Sequence, residues 1–141
     1  MVVIYQLISL MAAAFFGFIL WIIYLANTGG HSVFFDFIRS LPYGDKLGHF
    51  CLFGVLTLIL VVGSRFCAFR LGRIRIYYGV LAVTVFVVGE ELSQAFIPSR
   101  TFDVVDLTAD ALGILLATAM AYVINKYIVK RFHSNPEKNP V

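Results

Sequence analysis

His49, Glu91, Gln94, Arg100, Asp106 and Asp110 are the side chains here whose types and spacing suit chemistry. Five of the eight acidic residues lie between Gly89 and Asp110, a stretch that separates two long apolar runs. Charges so placed sit at or inside the edge of a membrane. An ionisable group is costly there, so a concentration of them points to a functional site. Asp45-Lys46-Leu47-Gly48-His49 sets an acid, a cation and an imidazole at the start of another apolar run. Asp45 and His49 are four apart and share a helix face. A capped helix entry accounts for Asp45 and Lys46. It does not account for His49, about one turn deeper.

Glu91 and Gln94 are three apart, and Glu90 and Gln94 are four apart, so each pair can meet on a helix. Adjacent glutamates point about 100° apart. Only one of them can aim squarely at a given neighbour, and Glu90 reads equally well as an interfacial residue. Asp103, Asp106 and Asp110 recur at spacings of three and four and form one stripe. The stripe continues as Gly113, Ala117 and Ala121, a small-residue face suited to close helix contact. The aspartates are therefore expected to point into a bundle. Asp103 also suits a helix N-cap. Arg100, in the turn between, is a natural bidentate partner for a carboxylate or phosphate.

The elements that must position these groups are membrane helices. Of the 141 residues, 60% are hydrophobic and only 13% are charged, about half the roughly 25% usual in soluble domains. Mean hydropathy is +0.89. Four segments, about 3–26, 46–63, 76–96 and 104–129, are long enough to cross the ~30 Å hydrocarbon core. The expected fold is all-α, a polytopic membrane bundle of four transmembrane helices. One domain is expected over residues 1–131, with a flexible cytoplasmic tail over 132–141. The first segment reads as a retained helix and not a signal peptide, with Trp21 and Tyr24 as interfacial anchors. The connection from Asn27 to Gly44, rich in phenylalanine, is expected to lie in the interface as a short helix or re-entrant turn.

The net charge of +3 matters through its placement. Arg65, Arg70, Arg73 and Arg75 follow the second segment, and Lys126, Lys130, Arg131 and Lys138 follow the fourth. Four spans put both groups on one side, so both termini are expected to be cytoplasmic. All acidic residues except Glu137 then fall at the outer end. No basic, aromatic-studded segment argues for nucleic acid. Cys51 and Cys67, at opposite ends of one span, are too far apart to pair.

Taken in order, these motifs resemble the VanZ-like family of small integral membrane proteins. That family shows Asp-Lys-x-x-His at the start of a span, then Glu-x-x-Gln, a loop Arg, and Asp-x-x-x-Asn before a glycine. The counterparts here are Asp45-Lys46-Leu47-Gly48-His49, Glu91-Leu92-Ser93-Gln94, Arg100, and Asp106 to Asp110 with Gly113. The match covers roughly residues 40–120. Asp110 stands where the family pattern has Asn, which adds a negative charge or a protonatable group. The resemblance implies a cell-envelope protein of the bacterial cytoplasmic membrane, with a link to resistance to the glycopeptide teicoplanin.

These readings converge on an outward-facing polar pocket formed by Asp45, Lys46, His49, Glu91, Gln94, Arg100, Asp106 and Asp110. Its expected ligand is an anionic lipid headgroup, a lipid phosphate or a lipid-linked sugar. His49, Glu91 and Asp106 are the candidates for acid–base work if the protein is an enzyme acting on an envelope lipid. The same three side chains suit a divalent cation, but no dense ligand motif supports one, so no metal or cofactor is assigned. Proton-coupled transport is a further alternative. It is weakened because the inner halves of the spans lack ionisable groups. Gly113, Ala117 and Ala121, or Ala13 and Gly17, would also suit a homo-oligomer.

Overall fold

The computed structural model describes residues 2–98 and 100–133. Five helices and one hairpin follow in order: α1 (Val2–Thr28), α2 (Val33–Ser40), α3 (Gly44–Gly63), β1 (Ala68–Leu71), β2 (Ile74–Tyr77), α4 (Tyr78–Gln94) and α5 (Val104–His133). The expected tail lies outside the described residues, apart from its first two, which belong to α5.

Three helices, α1, α3 and α5, are long and apolar enough to cross a membrane. The segment expected over 76–96 differs. Its first two residues belong to β2, and α4 has 17 residues. At 1.5 Å per residue it is about 26 Å long, at the lower end of the lengths that span a bilayer, and it carries Glu90 and Glu91 in its last turns. The connection after α1 contains the short helix α2, started by Ser32, whose hydroxyl accepts from the Phe34 N–H at 3.2 Å.

A purely helical fold needs one correction. Residues 68–77 form an antiparallel hairpin, with Leu71 opposite Ile74 and Arg70 opposite Arg75. Phe69, Leu71, Ile74 and Ile76 alternate with arginines in the strand pattern of period two. Gly72, at φ +61°, opens the two-residue turn, a place where glycine is favoured.

The core is built where α1, α3, α4 and α5 meet, from Ile19, Phe53, Leu56, Val83, Val87 and Ile114. The most extensive packing is that of α3 on α5. It depends on glycine: a Cβ on Gly113 would overlap the Phe50 carbonyl oxygen, and one on Gly54 would sit 3.1 Å from the Gly113 oxygen. Ala117 and Ala121 continue this face and are buried, as the small-residue stripe requires. Gly44 serves the turn from α2 into α3, where a Cβ would overlap the Ile38 carbonyl. Cys51 and Cys67 are exposed and unpaired.

The crossing is testable. Gly113→Leu should push α3 from α5 and lower the thermal stability of the purified protein by roughly 1–3 kcal/mol, the range for overpacking. Gly17→Ala, with nothing within 4 Å of the added atom, should not. Equal melting temperatures for wild type and Gly113→Leu would contradict so close an approach.

Candidate functional site

The polar groups gather at the end of the bundle where α3 begins, α4 ends and α5 begins. Asp45, Lys46 and His49 stand on the first turns of α3. Glu90, Glu91 and Gln94 stand on the last turns of α4. Asp106 and Asp110 stand on the first two turns of α5. The close crossing of α3 and α5 lets short side chains reach between them.

Lys46 is the hub of one cluster. Its Nζ lies 2.7 Å from carboxylate oxygens of Asp45, Asp103 and Asp106. Asp103 caps α5 as its sequence position suggests, its Oδ1 accepting from the Val105 N–H at 2.8 Å. Lys46 first, and then that N–H, hold the Asp103 carboxyl below the usual carboxylate range. Asp103 thus ties the loop, α3 and α5 together.

His49 belongs to a second cluster. Its Nδ1 lies 3.1 and 3.3 Å from the two oxygens of Asp110, which is fully buried. Its Nε2 lies 3.9 Å from Asp106. A carboxylate against one ring nitrogen fixes the ring's orientation and tautomer. Glu91, Asp110 and Gln94 are all at most 2% exposed. Gln94 Nε2 donates to both Glu90 oxygens, at 3.0 and 2.9 Å, and makes a longer contact of 3.4 Å to Glu91.

A cavity of about 490 Å³ opens beside these clusters, bounded by α1, α2, α3, the end of α4 and the loop that follows. Of the eight expected pocket residues, Asp45, His49 and Arg100 line it. Lys46, Asp106 and Asp110 form ion pairs away from its wall, and Glu91 and Gln94 are buried beside them. Of the three acid–base candidates, His49 alone reaches the cavity wall. His31, Arg39 and Glu90 also line it. Sequence reasoning favoured Glu91 for the pocket and left Glu90 as equally an interfacial residue, whereas Glu90 is the one on the wall, and it gave no signal for His31 and Arg39. Both stand on or next to a segment read only as interfacial. Arg100 turns into the cavity with its Nε buried and without a hydrogen-bond partner.

These features define an α-helical membrane protein that buries an ion-paired polar site at one end of its bundle. Comparison with known families sharpens the class: the VanZ/LLP1 family model matches residues 3–125. The chain belongs to the VanZ-like family, as its motifs suggested. It is also similar to an uncharacterised protein of Schizosaccharomyces pombe, at 34% identity over 99 residues, which is 67% of this chain. The chain spans 58% of that relative's length. No solved structure matches.

Lys46→Met should remove the link among Asp103, Asp106 and α3. Asp103 has a lowered carboxyl pKa, so its contribution is present above the unfolded value near 4 and is lost as pH falls through the lower folded value. Melting temperature followed against pH should show acid destabilisation below about pH 4 in wild type. That limb should be weakened in Lys46→Met, which should also melt lower at pH 7. An unchanged acid limb would show that Lys46 does not hold Asp103.

Proposed function

We propose that the protein binds an anionic lipid headgroup, either a phospholipid or a lipid-linked envelope precursor, in the cavity between α1, α2 and α3. The observation that carries this reading is the division of the cavity wall. Ile19, Ile22, Ile23, Phe34, Leu52 and Phe53 supply an apolar interior, while His31, Arg39 and Arg100 supply cationic or protonatable groups. Such a wall suits a molecule with a chain at one end and a charge at the other. The volume is within the ~300–1,000 Å³ range of ligand pockets.

The unpaired cations on the wall favour an anion. Of the acids there, Asp45 contacts Lys46, and Glu90 accepts hydrogen bonds from the Gln94 amide, which leaves its charge in place. Among the described residues, Arg39 and Arg100 form no ion pair, which leaves two guanidinium groups for a ligand. Arginine binds phosphate through two parallel hydrogen bonds.

In this reading both termini face the cytoplasm and the cavity opens to the outer leaflet, with four helices crossing the bacterial cytoplasmic membrane. The arginines of the hairpin and the Lys and Arg residues after α5 support that orientation. A relative in a fission yeast means that family membership alone does not place the chain in a bacterial envelope. A part in teicoplanin resistance would follow from binding an envelope precursor. A second reading, an enzyme acting on the bound lipid, is favoured by one observation. His49 faces the cavity with its ring oriented by the buried Asp110, an arrangement suited to a general base.

Arg100→Ala tests the binding reading. Removing a charged hydrogen-bonding group costs about 1.5–3 kcal/mol, so affinity for vesicles or nanodiscs containing phosphatidylglycerol should fall at least about tenfold. Native mass spectrometry should show fewer retained anionic lipids. Val55→Ala, on an exposed site outside the cavity, should change neither. Lipid retention that is the same for Arg100→Ala and wild type would remove the proposal.

A further inference from the structure

We propose that His49, Glu91 and Asp110 form a binding site for one first-row divalent cation, with Zn²⁺ and Mn²⁺ the best fits. The proposal does not rest on the headgroup reading. Each residue comes from a different helix: His49 from α3, Glu91 from α4 and Asp110 from α5. One ligand atom from each lies within 4.8 Å of the other two. Bonds of about 2.0–2.2 Å place two ligands of one ion roughly 3–3.5 Å apart. The His49 Nδ1 to Asp110 distance of 3.1 Å already has that span. The other separations, which reach at most 4.8 Å, would have to shorten to that span for all three to share one ion.

The second observation is an orphan. Glu91 is 0% exposed, and its Oε2 has no hydrogen-bond partner. Its carboxylate otherwise receives the long contact of 3.4 Å from Gln94, whose amide is closer to both oxygens of Glu90, and the Asp103 backbone N–H. A buried carboxylate oxygen without a partner is costly. The nearby cations do not meet the need. Lys46 is taken by three aspartates, and Arg100 forms no ion pair among the described residues. With the imidazole neutral, as a metal ligand must be, the two carboxylates carry two negative charges, which one divalent ion would balance in a poorly solvated place.

The donor set narrows the choice. Imidazole nitrogen suits zinc, and carboxylate oxygens suit manganese as well. Asp106 is nearer to Lys46, at 2.7 Å, than to His49, at 3.9 Å. It is already engaged by Lys46, so it stands outside the ligand set. Three protein ligands leave at least one coordination position open.

Metal-stripped protein in detergent, titrated with Co²⁺ as a spectroscopic substitute for Zn²⁺ and with Mn²⁺ followed by electron paramagnetic resonance, tests the site. Wild type should bind one ion per chain. Glu91→Gln and Asp110→Asn preserve side-chain shape, and each should weaken binding at least about tenfold, the lower end of what a supporting residue around a metal costs. Asp36→Asn, on the exposed face of α2, should bind as wild type does. Circular dichroism shows which variants keep their helices. A readout without variants completes the test: one equivalent of Zn²⁺ should raise the wild-type melting temperature, and EDTA should reverse the rise. Absence of saturable one-to-one binding, absence of that rise, or wild-type affinity in folded Glu91→Gln and Asp110→Asn would each overturn the proposal.

Discussion

The close passage of α3 over α5 is the constraint on which the polar end depends. Backbone meets backbone where Gly113 faces Phe50 and Gly54 faces Gly113. At that separation an aspartate, with one methylene, reaches across to a neighbouring helix. His49 meets Asp110, and Lys46 meets Asp106. A wider crossing would leave those carboxylates buried and unmatched, the more costly state. Glycine therefore does electrostatic service here: it sets the distance over which charges compensate each other inside an apolar bundle.

Compensation is uneven across the site, and the unevenness separates two tasks. Around Lys46 one ammonium gathers three aspartates at 2.7 Å, which fixes the start of α3 against the start of α5. Around Glu91 the matching is incomplete. In the cavity, Arg39 and Arg100 form no ion pair among the described residues. One end of the bundle thus presents a lysine-centred ion cluster, a buried acidic centre and a cleft carrying two arginines within a short distance of one another.

Much of this was legible in the sequence where one helix carried the whole pattern. Asp103, Asp106, Asp110, Gly113, Ala117 and Ala121 repeat at helical spacing, so a shared face follows from period alone. The membrane character of α1, α3 and α5 follows from length and apolarity. What crosses between helices was not legible. Spacing could not show that Lys46 takes Asp106 while His49 takes Asp110, nor choose the role of Glu90 over that of its neighbour. The contribution of α1 to the cavity left no trace, because Ile19, Ile22 and Ile23 look like any lipid-facing residues. The hairpin was passed over because four arginines between two apolar runs have the composition of an ordinary cytoplasmic connection. Its strand period shows only when the intervening Phe, Leu and Ile residues are followed.

The hairpin has a consequence for where the molecule sits. Its register sets Arg70 directly across from Arg75, and like charges so placed repel. A two-stranded ribbon is marginal by itself in water. Arg75 gains some relief, its Nη2 donating to the Phe66 carbonyl at 3.1 Å and its guanidinium lying over the Tyr77 ring. Arg70 has no such internal support among the described residues. Anionic phospholipids at a bilayer surface attract each such arginine by about 1 kcal/mol. The ribbon is therefore more stable against a charged leaflet than against a neutral one. It lies at the end of the bundle opposite the buried acids.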